Sequence, residues 1–356
     1  MAAFRTGVVI QIVEQHDDLV RITARVEGSE IAASGFPRML GPLEVGDDVV
    51  LNTTGIELSL GTGGEAFVLW NLSGKGTPGP GAGHIMKLRY TPWQTEVLAV
   101  EAQESPHHAT LAEVDQVDGL PVVACGLHSQ IAAVAAGVKA AAPEARVGYL
   151  MTDAAALPLA WSRLVRDLRD AGLIDVTATC GHAFGGELET VNVYSGLAAL
   201  KYVSGCDVVV VAMGPGVVGT GTALGFTALE QAGILDAAGA LGGVAIACLR
   251  INFSDERPRH RGVSHHTLTA LKMTGRPGAI VPVPLLANGG TARVAEALRT
   301  AGIADRHDVT SIDGSPGLVV MKDLGISPRS MGRGVDEIPE FFLAAAAAGR
   351  AAAARL

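Results

Sequence analysis

The first 72 residues alternate between short β-branched runs and turn residues. Aspartate and glycine separate the runs, as at Gly46 and Asp47, and such pairs are typical of tight turns. The strand-like runs cover residues 8–13, 19–26, 49–52 and 66–72. We therefore predict a small all-β domain over residues 1–73, of the barrel type found in OB and SH3-like folds.

Residues 74–83 contain five glycines and two prolines, and no side chain in this decapeptide can contribute to a core. Such a composition is typical of a flexible linker, so we place the domain boundary here. A mobile lid over a binding site is the alternative interpretation of the same stretch.

Beyond residue 84, apolar strand-like runs alternate with helical patterns. From the third run onward the runs are spaced by roughly 30 to 36 residues, about one βαβ step. The strand-like runs begin near residues 97, 121, 146, 176, 206, 242 and 279. The helical patterns cover residues 129–141, 160–171, 190–203, 222–240 and 291–301. Strands that are apolar on both faces predict a mostly parallel sheet covered by helices on both faces, an α/β fold of Rossmann-like type. This domain spans residues 84–356 and ends in an Ala-rich helix. Pro282, Pro284 and Pro316 predict that its last strands are edge strands or irregular extended segments.

The composition of the chain limits the kinds of binding partner and the cellular compartment that we expect. The net charge is −9 without a long basic run, which argues against a nucleic-acid partner but leaves room for a small anionic ligand. The four cysteines, at 125, 180, 206 and 248, form no CxxC pair, so we expect buried thiols in a reducing compartment. Neither end of the chain predicts a signal peptide or a membrane span. We expect a cytoplasmic protein, with small-residue helices that suit a homo-oligomer.

Polar clusters follow the predicted strands at their carboxyl ends. They occur in five loops, at residues 126–129, 152–153, 181–187, 214–222 and 250–267. Ligands of open parallel sheets bind in the crevice at this edge, so the five loops predict one site.

The densest cluster is the stretch 250–267, which contains acids, arginines and three histidines. Ser264 is a helix N-cap candidate, and His265 and His266 then lie in the first turn, where the helix dipole disfavours imidazolium. Neutral rings suit a metal ligand or a general base. A solvated polar loop before a capped helix is the alternative interpretation.

The loop 214–222 contains a G-x-G-x-x-G pattern after a strand and before a predicted helix. Such a loop can bind an anion through backbone N–H groups, and its ligand-binding candidates are Gly214, Gly216, Gly219, Thr220, Gly221 and Thr222. A dinucleotide site and a purely structural turn are the alternatives. Arg257, Arg259 and Arg261 are the side chains expected to hold the same anion.

Catalytic roles are assigned by residue type. His265 or His266 is the expected general base or metal ligand, Asp255 orients a histidine or binds the metal, and Asp153 and Glu187 are further acid–base candidates. If the protein binds a divalent metal, its expected ligands are His260, His265, His266 and Asp255. With a metal bound, hydrolase or lyase chemistry becomes the leading case.

Several longer phrases resemble a bacterial family labelled as domain of unknown function 3866. They are Leu51-Asn52-Thr53-Thr54, Gly61-Thr62-Gly63-Gly64, residues 83–92, Phe184-Gly185-Gly186-Glu187, residues 191–196, residues 214–221 and residues 260–266. The resemblance extends over nearly the whole chain and implies a bacterial cytoplasmic protein of this layout. It implies no activity or catalytic residue.

The combined pattern favours an enzyme that acts on a small phosphorylated or carboxylated metabolite in the cleft at the strand ends. A non-catalytic metabolite-binding or regulatory protein is the first alternative. A Rossmann-type oxidoreductase is the second.

Overall fold

The protein is described from a computed structural model that covers residues 2–59, 64–74, 79 and 81–356. Half of the linker predicted at 74–83, and residues 61–63 of the Gly61-Thr62-Gly63-Gly64 phrase, lie outside these described residues. The chain divides into two compact units, Met1–Val97 and Leu98–Leu356. Each unit is described by itself.

The first unit contains a closed five-stranded barrel in the order β1-β2-β3-β5-β4. Its elements are β1 (Phe4–Gln15), β2 (Val20–Val26), β3 (Ser29–Gly35), α1 (Pro37–Leu40), β4 (Asp48–Asn52), α2 (Thr54–Glu57) and β5 (Ala66–Asn71). Neighbouring strands are antiparallel except β3 and β5, which run parallel. Alternate residues such as Val20, Ile22 and Leu51 point inward and form the barrel's own core. The all-β prediction for the first domain is confirmed, and β3 is the strand that the sequence pattern missed. A hairpin of β6 (Ile85–Lys87) and β7 (Thr95–Val97) completes the unit.

The second unit begins with helix α3 (His108–Leu111) and is built on a sheet of eight parallel strands. The sheet strands are β8 (Pro121–Ala124), β9 (Val147–Thr152), β10 (Val176–Thr179), β11 (Leu188–Glu189), β12 (Val208–Met213), β13 (Val244–Ala247), β16 (Ile280–Pro284) and β17 (Asp308–Ile312). A small antiparallel pair, β14 (Ile251–Asn252) and β15 (Gly262–Val263), lies apart from the sheet. The central strands are buried along their whole length, as β12 shows, which explains their unbroken apolar sequence.

Helices cover both faces of this sheet, in two separate apolar clusters. They are α4 (Ile131–Ala141), α5 (Arg163–Asp170), α6 (Val193–Tyr202), α7 (Glu230–Ala240), α8 (His265–Met273), α9 (Gly290–Thr300), α10 (Ser315–Asp323) and α11 (Pro339–Ala353). The predicted α/β, Rossmann-like fold is therefore confirmed.

The strand order is β11-β10-β9-β12-β8-β13-β16-β17. The chain leaves β8 toward β9 on one side and leaves β13 toward β16 on the other, so the direction of winding changes between these two neighbours. Ligands of doubly wound folds bind at such a switch point, outside the carboxyl ends of the strands. The loops after β12, β8 and β13 lie at or beside this switch point.

The last strand, β17, is an edge of the sheet, but the prolines do not mark it, and that part of the prediction is wrong. Pro316 lies in the first turn of α10. Pro282 and Pro284 lie in β16, which pairs with β17 on one side and with β13 on the other. The contact with β13 consists of the single pair Ile246 and Ile280, so both prolines lie beyond the end of that neighbour. There a missing N–H costs no ladder hydrogen bond to β13.

The Ala-rich helix α11 is buried inside the second unit, against α4. Side chains added at Gly137 or Gly349 would overlap the backbone carbonyl oxygens of Ala346 and Val134, so the two helices touch backbone to backbone. Alanine and glycine are therefore required here by packing within the chain.

Candidate functional site

Three adjacent strands, β12, β8 and β13, send their carboxyl-end loops to the same region of the second unit. The loop after β13 leads through a one-turn helix (Pro258–His260) and β15 into α8. Ser264 is the N-cap of α8, because its hydroxyl accepts a hydrogen bond from the His266 N–H at 3.2 Å. The cap fixes where the helix begins and thereby the directions of His265 and His266.

His260, His265 and His266 come together at the start of α8, and we call these three residues the histidine triad. Their ring centroids are 4.4 to 5.0 Å apart. One ligand nitrogen from each ring lies within 4.8 Å of the other two. The His265 Nε2 atom is buried and has no hydrogen-bond partner among the residues that the structure describes. The triad is therefore a compact nitrogen cluster with unused bonding capacity.

The rings of the triad are neutral at physiological pH. Burial, reinforced by the positive charges of Arg250 and Arg257, lowers the pKa of His260 to about 4. Burial and Arg250 lower the pKa of His266 to about 3, and burial and Arg259 lower that of His265. Each ring thus keeps one nitrogen lone pair for a metal, a proton or a hydrogen bond.

Arg250, the first residue of the stretch, makes the contact that assigns the proton on His266. Its Nη1 atom lies 3.3 Å from Nδ1 of His266. Guanidinium nitrogens only donate, so Nδ1 accepts and the neutral ring carries its proton on Nε2. On the other side, the ring of Phe226 stacks on His266 at 3.9 Å between centroids.

Arg250 is a buried cation, only 7% exposed, whose other contact is the sulfur of Met331 at 3.8 Å. Within the part of the chain that the structure describes, no carboxylate forms an ion pair with it. Burial and the neighbouring Arg257 lower its pKa to about 10. A buried guanidinium that lacks a carboxylate partner is unfavourable unless an anion joins it.

The loop 214–222, which we call the glycine loop, reaches the triad. A side chain at Gly219 would lie 3.4 Å from the ring of His266, and one at Gly221, where φ is +81°, would lie 3.6 Å from Nη1 of Arg259. The hydroxyls of Thr220 and Thr222 bond within the loop, to each other and to Gly225. The sequence prediction that these residues adjoin the histidine stretch agrees with this geometry, while their role in ligand binding stays a prediction.

The helix predicted over residues 222–240 begins only at Glu230, so this part of the sequence interpretation is wrong. The residues before Glu230 form a β-bridge between Gly219 and Phe226 and then a turn, instead of an α-helix. The glycine loop therefore does not end in a helix N-terminus. The arrangement in which a helix dipole holds a dinucleotide pyrophosphate is missing at this position.

Asp255 supports the loop rather than the triad. Its carboxylate accepts two bonds of 3.0 Å from the Arg257 guanidinium and lies 3.7 Å from Arg333. Its backbone carbonyl accepts from Arg261 at 3.0 Å. The Arg257 pair holds the pKa of Asp255 well below its usual range. Of the three arginines proposed as anion ligands, Arg259 alone makes no hydrogen bond or ion pair to a described residue.

The two remaining acid–base candidates lie at other strands. Asp153 follows β9 and accepts the backbone N–H of His182 at 2.8 Å. Glu187 forms an ion pair with Arg169 on α5, and its N–H donates to Thr177 on β10. The structure does not bring these carboxylates together with the triad.

Three features near the strand ends escaped the sequence interpretation. Arg250 and Phe226 contact His266, and the Ser330–Arg333 turn brings Met331 and Arg333 to Arg250 and Asp255. No motif marks this turn, although a Met–Gly pair with φ of +50° and +80° is consistent with a tight reversal.

Glu230 on α7 also went unnoticed. Both of its oxygens accept from the Thr152 hydroxyl, at 2.8 and 2.9 Å, and burial raises the pKa of this carboxyl to about 7.

Among the helices of the described residues, none combines the length and the apolar character needed to cross a bilayer. No curated protein matches the chain. A family model described as "Protein of unknown function (DUF3866)" matches residues 32–349, which include the triad, the glycine loop and Arg250. The resemblance seen in the sequence is thus confirmed, and the chain belongs to the DUF3866 family.

Proposed function

We propose that the protein is an enzyme that acts on a small anionic metabolite, phosphorylated or carboxylated, at the carboxyl ends of β12 and β13. The observation that carries this proposal is Arg250, a cation 7% exposed whose guanidinium bonds a histidine nitrogen and a thioether and pairs with no carboxylate among the described residues. The desolvated charge is stabilised when an anionic ligand joins it. Hydrogen bonds between a guanidinium and an anionic ligand are stronger than hydrogen bonds between neutral groups.

Arg259 supports the same interpretation from the other side of the triad. It is exposed, lies over Gly221 and makes no hydrogen bond or ion pair to a described residue. The Nε2–H of His266, beside Gly219, adds a neutral donor. These groups leave Arg257 and Arg261 to hold the loop around Asp255.

The histidines supply the groups for proton transfer. A neutral imidazole can take a proton from a bound substrate, and His265 Nε2 has no hydrogen bond of its own to give up first. His265 is therefore the general-base candidate, and His266 Nε2–H is the donor that binds or protonates the anion.

Binding is tested by calorimetric titration of the full-length, untagged protein with inorganic phosphate and, separately, with succinate. Arg250→Gln is expected to weaken the tighter of the two about 10- to 100-fold, the effect of one charged hydrogen bond. Arg299→Gln removes an exposed arginine of α9 that pairs with Glu296, and serves as the charge-matched control. Equal affinity in the Arg250 variant, or no binding to the wild type, would refute the anion site.

Catalysis is tested by incubating the protein with phosphorylated and carboxylated metabolites and following their masses. A changed mass that depends on Arg250 and His265 supports the enzyme. A metabolite that binds and returns unchanged would favour the regulatory alternative.

A further inference from the structure

The histidine triad has a second property: each of its three rings brings one possible ligand nitrogen close to those of the other two. The three nitrogens lie within 4.8 Å of one another. A tetrahedral ion with Zn–N bonds of about 2.0 Å sets its nitrogens roughly 3.3 Å apart. Binding such an ion therefore requires the three nitrogens to approach one another by up to about 1.5 Å.

Two details of the triad point to an ion as the missing partner. The Nε2 atom of His265 is buried without any hydrogen bond, which is costly for a polar atom in a folded protein. The Nδ1 atom of His260 lies 2.8 Å from the Ser264 hydroxyl. When Nδ1–H donates to that hydroxyl, the Nε2 lone pair of His260 is available, as in metal sites whose histidines are oriented by an outer partner.

We propose that His260, His265 and His266 together bind one divalent metal ion of the zinc class. Three imidazole ligands with a fourth position left open are the donor set of catalytic zinc sites, and imidazole suits zinc, copper, iron and nickel. Asp255 is not a ligand in this proposal, because Arg257 and Arg333 already hold its carboxylate.

Arg250 connects the metal to the anion. In the structure His266 Nδ1 accepts from Arg250 at 3.3 Å. A metal on Nε2 moves the ring proton to Nδ1, where it faces the N–H groups of Arg250 and ends that bond. The guanidinium is then released for an anion beside the metal. We therefore expect metal and anion to strengthen each other's binding, by the same factor in both directions.

This inference rests on the proposed function, and in the metal-bound protein the Nε2 atoms of His265 and His266 act as ligands in place of their roles as base and donor. Its first test needs no substrate. The untagged full-length protein is freed of metal and titrated with Zn²⁺ by calorimetry and with Co²⁺ by visible absorption. One equivalent of each is expected to bind, and Co²⁺ is expected to give the intense d–d bands of a four-coordinate site.

Variants assign the ligands. His265→Ala and His260→Ala are each expected to weaken Zn²⁺ binding more than about 100-fold, beyond the 10- to 100-fold effect of outer partners. Ser264→Ala is expected to cost about tenfold, because it removes the orienting hydroxyl. His107→Ala, a histidine of the same unit outside the triad, is the matched control. Melting temperatures identify any variant that has lost its fold, and His265→Gln then replaces His265→Ala.

Each outcome bears on one proposal. Wild-type protein that binds no Zn²⁺, or His260 and His265 variants that bind it as tightly as the control, would overturn the metal site. Phosphate titration of metal-free protein is read separately, so the anion site can stand or fall independently. Phosphate affinity that is the same with and without Zn²⁺ would refute the role of Arg250 as the connection.

Discussion

The loops after β12 and β13 and the loops after β9 and β10 look alike in the sequence, since each brings histidines, acids or glycines to a strand end. In the fold they differ. After β9 and β10, Asp153 bonds the His182 N–H and Glu187 pairs with Arg169. After β13, within the described part of the chain, His265 Nε2 has no hydrogen bond and Arg250 forms no ion pair with a carboxylate. A polar strand end marks a candidate site when its groups keep unused bonding capacity.

The largest expected effect on activity comes from removing two of the three histidines of the triad. The His265→Ala/His266→Ala double variant is expected to lose at least about 1000-fold in kcat/KM, within the range of acid–base groups, while retaining its fold. Asp153→Asn is the paired control on the β9 side and is expected to stay within a few-fold of wild type. Full activity in the double variant, measured on the metabolite that wild type converts, would remove the difference between the two regions.

The next effect concerns Glu230, which bonds Thr152 at the end of β9. Burial raises its pKa to about 7 in the folded protein, above the ordinary 4.5 of the unfolded chain. Both states are protonated at low pH. As pH rises from about 4.5 to 7 the unfolded state ionises first, so folding stability falls, and above 7 the difference is constant.

The stability lost over that window is up to about 3 kcal/mol. Glu230→Gln is expected to remove this pH dependence, which calorimetric melting of wild type and variant between pH 4.5 and 8 would measure. Parallel curves for the two proteins would show that the carboxyl is not buried as described.

A smaller effect is expected from the contact between the glycine loop and the triad. Gly219→Val adds methyl groups against the His266 ring, from which a Cβ would already lie only 3.4 Å away. A displaced ring is expected to lower kcat/KM about tenfold, or about 1.4 kcal/mol. Gly233→Val, in α7 where no atom lies within 4 Å of the added Cβ, controls for valine itself. Equal losses in both variants would mean that the loop does not position His266.

The smallest effect is expected at Glu187. Its ion pair with Arg169 is partly exposed, with side-chain exposures of 45% and 34%, so Glu187→Gln should cost less than about 1 kcal/mol of stability. Activity is expected to stay within twofold of wild type. A large loss of kcat/KM would return Glu187 to the candidate site despite its distance along the sheet.

Local features of the candidate site could be predicted from the sequence. Ser264 was identified as an N-cap because a serine before a helical pattern has a defined hydrogen-bonding role, and the structure shows that bond. The parallel sheet followed from strands apolar on both faces.

Features that depend on strand order could not be predicted in this way. Nothing in the local pattern says that β12 inserts between β9 and β8, and this insertion separates Glu187 from His265. The turn at Met331 reaches Arg250 from 81 residues further along the chain. The helix prediction from residue 222 failed because apolar periodicity does not reveal the bridge between Gly219 and Phe226.

The burial of α11 also sets the timing of folding during synthesis. The barrel has its own core and all of its strands by residue 71, whereas the side of α4 that packs against α11 lacks this partner until residue 353 has been made. At about 5 to 20 residues per second, the ribosome needs roughly 15 to 55 seconds for that interval. Until α11 is complete, the second unit cannot form the backbone-to-backbone contact between α4 and α11, so its folding finishes after that of the barrel.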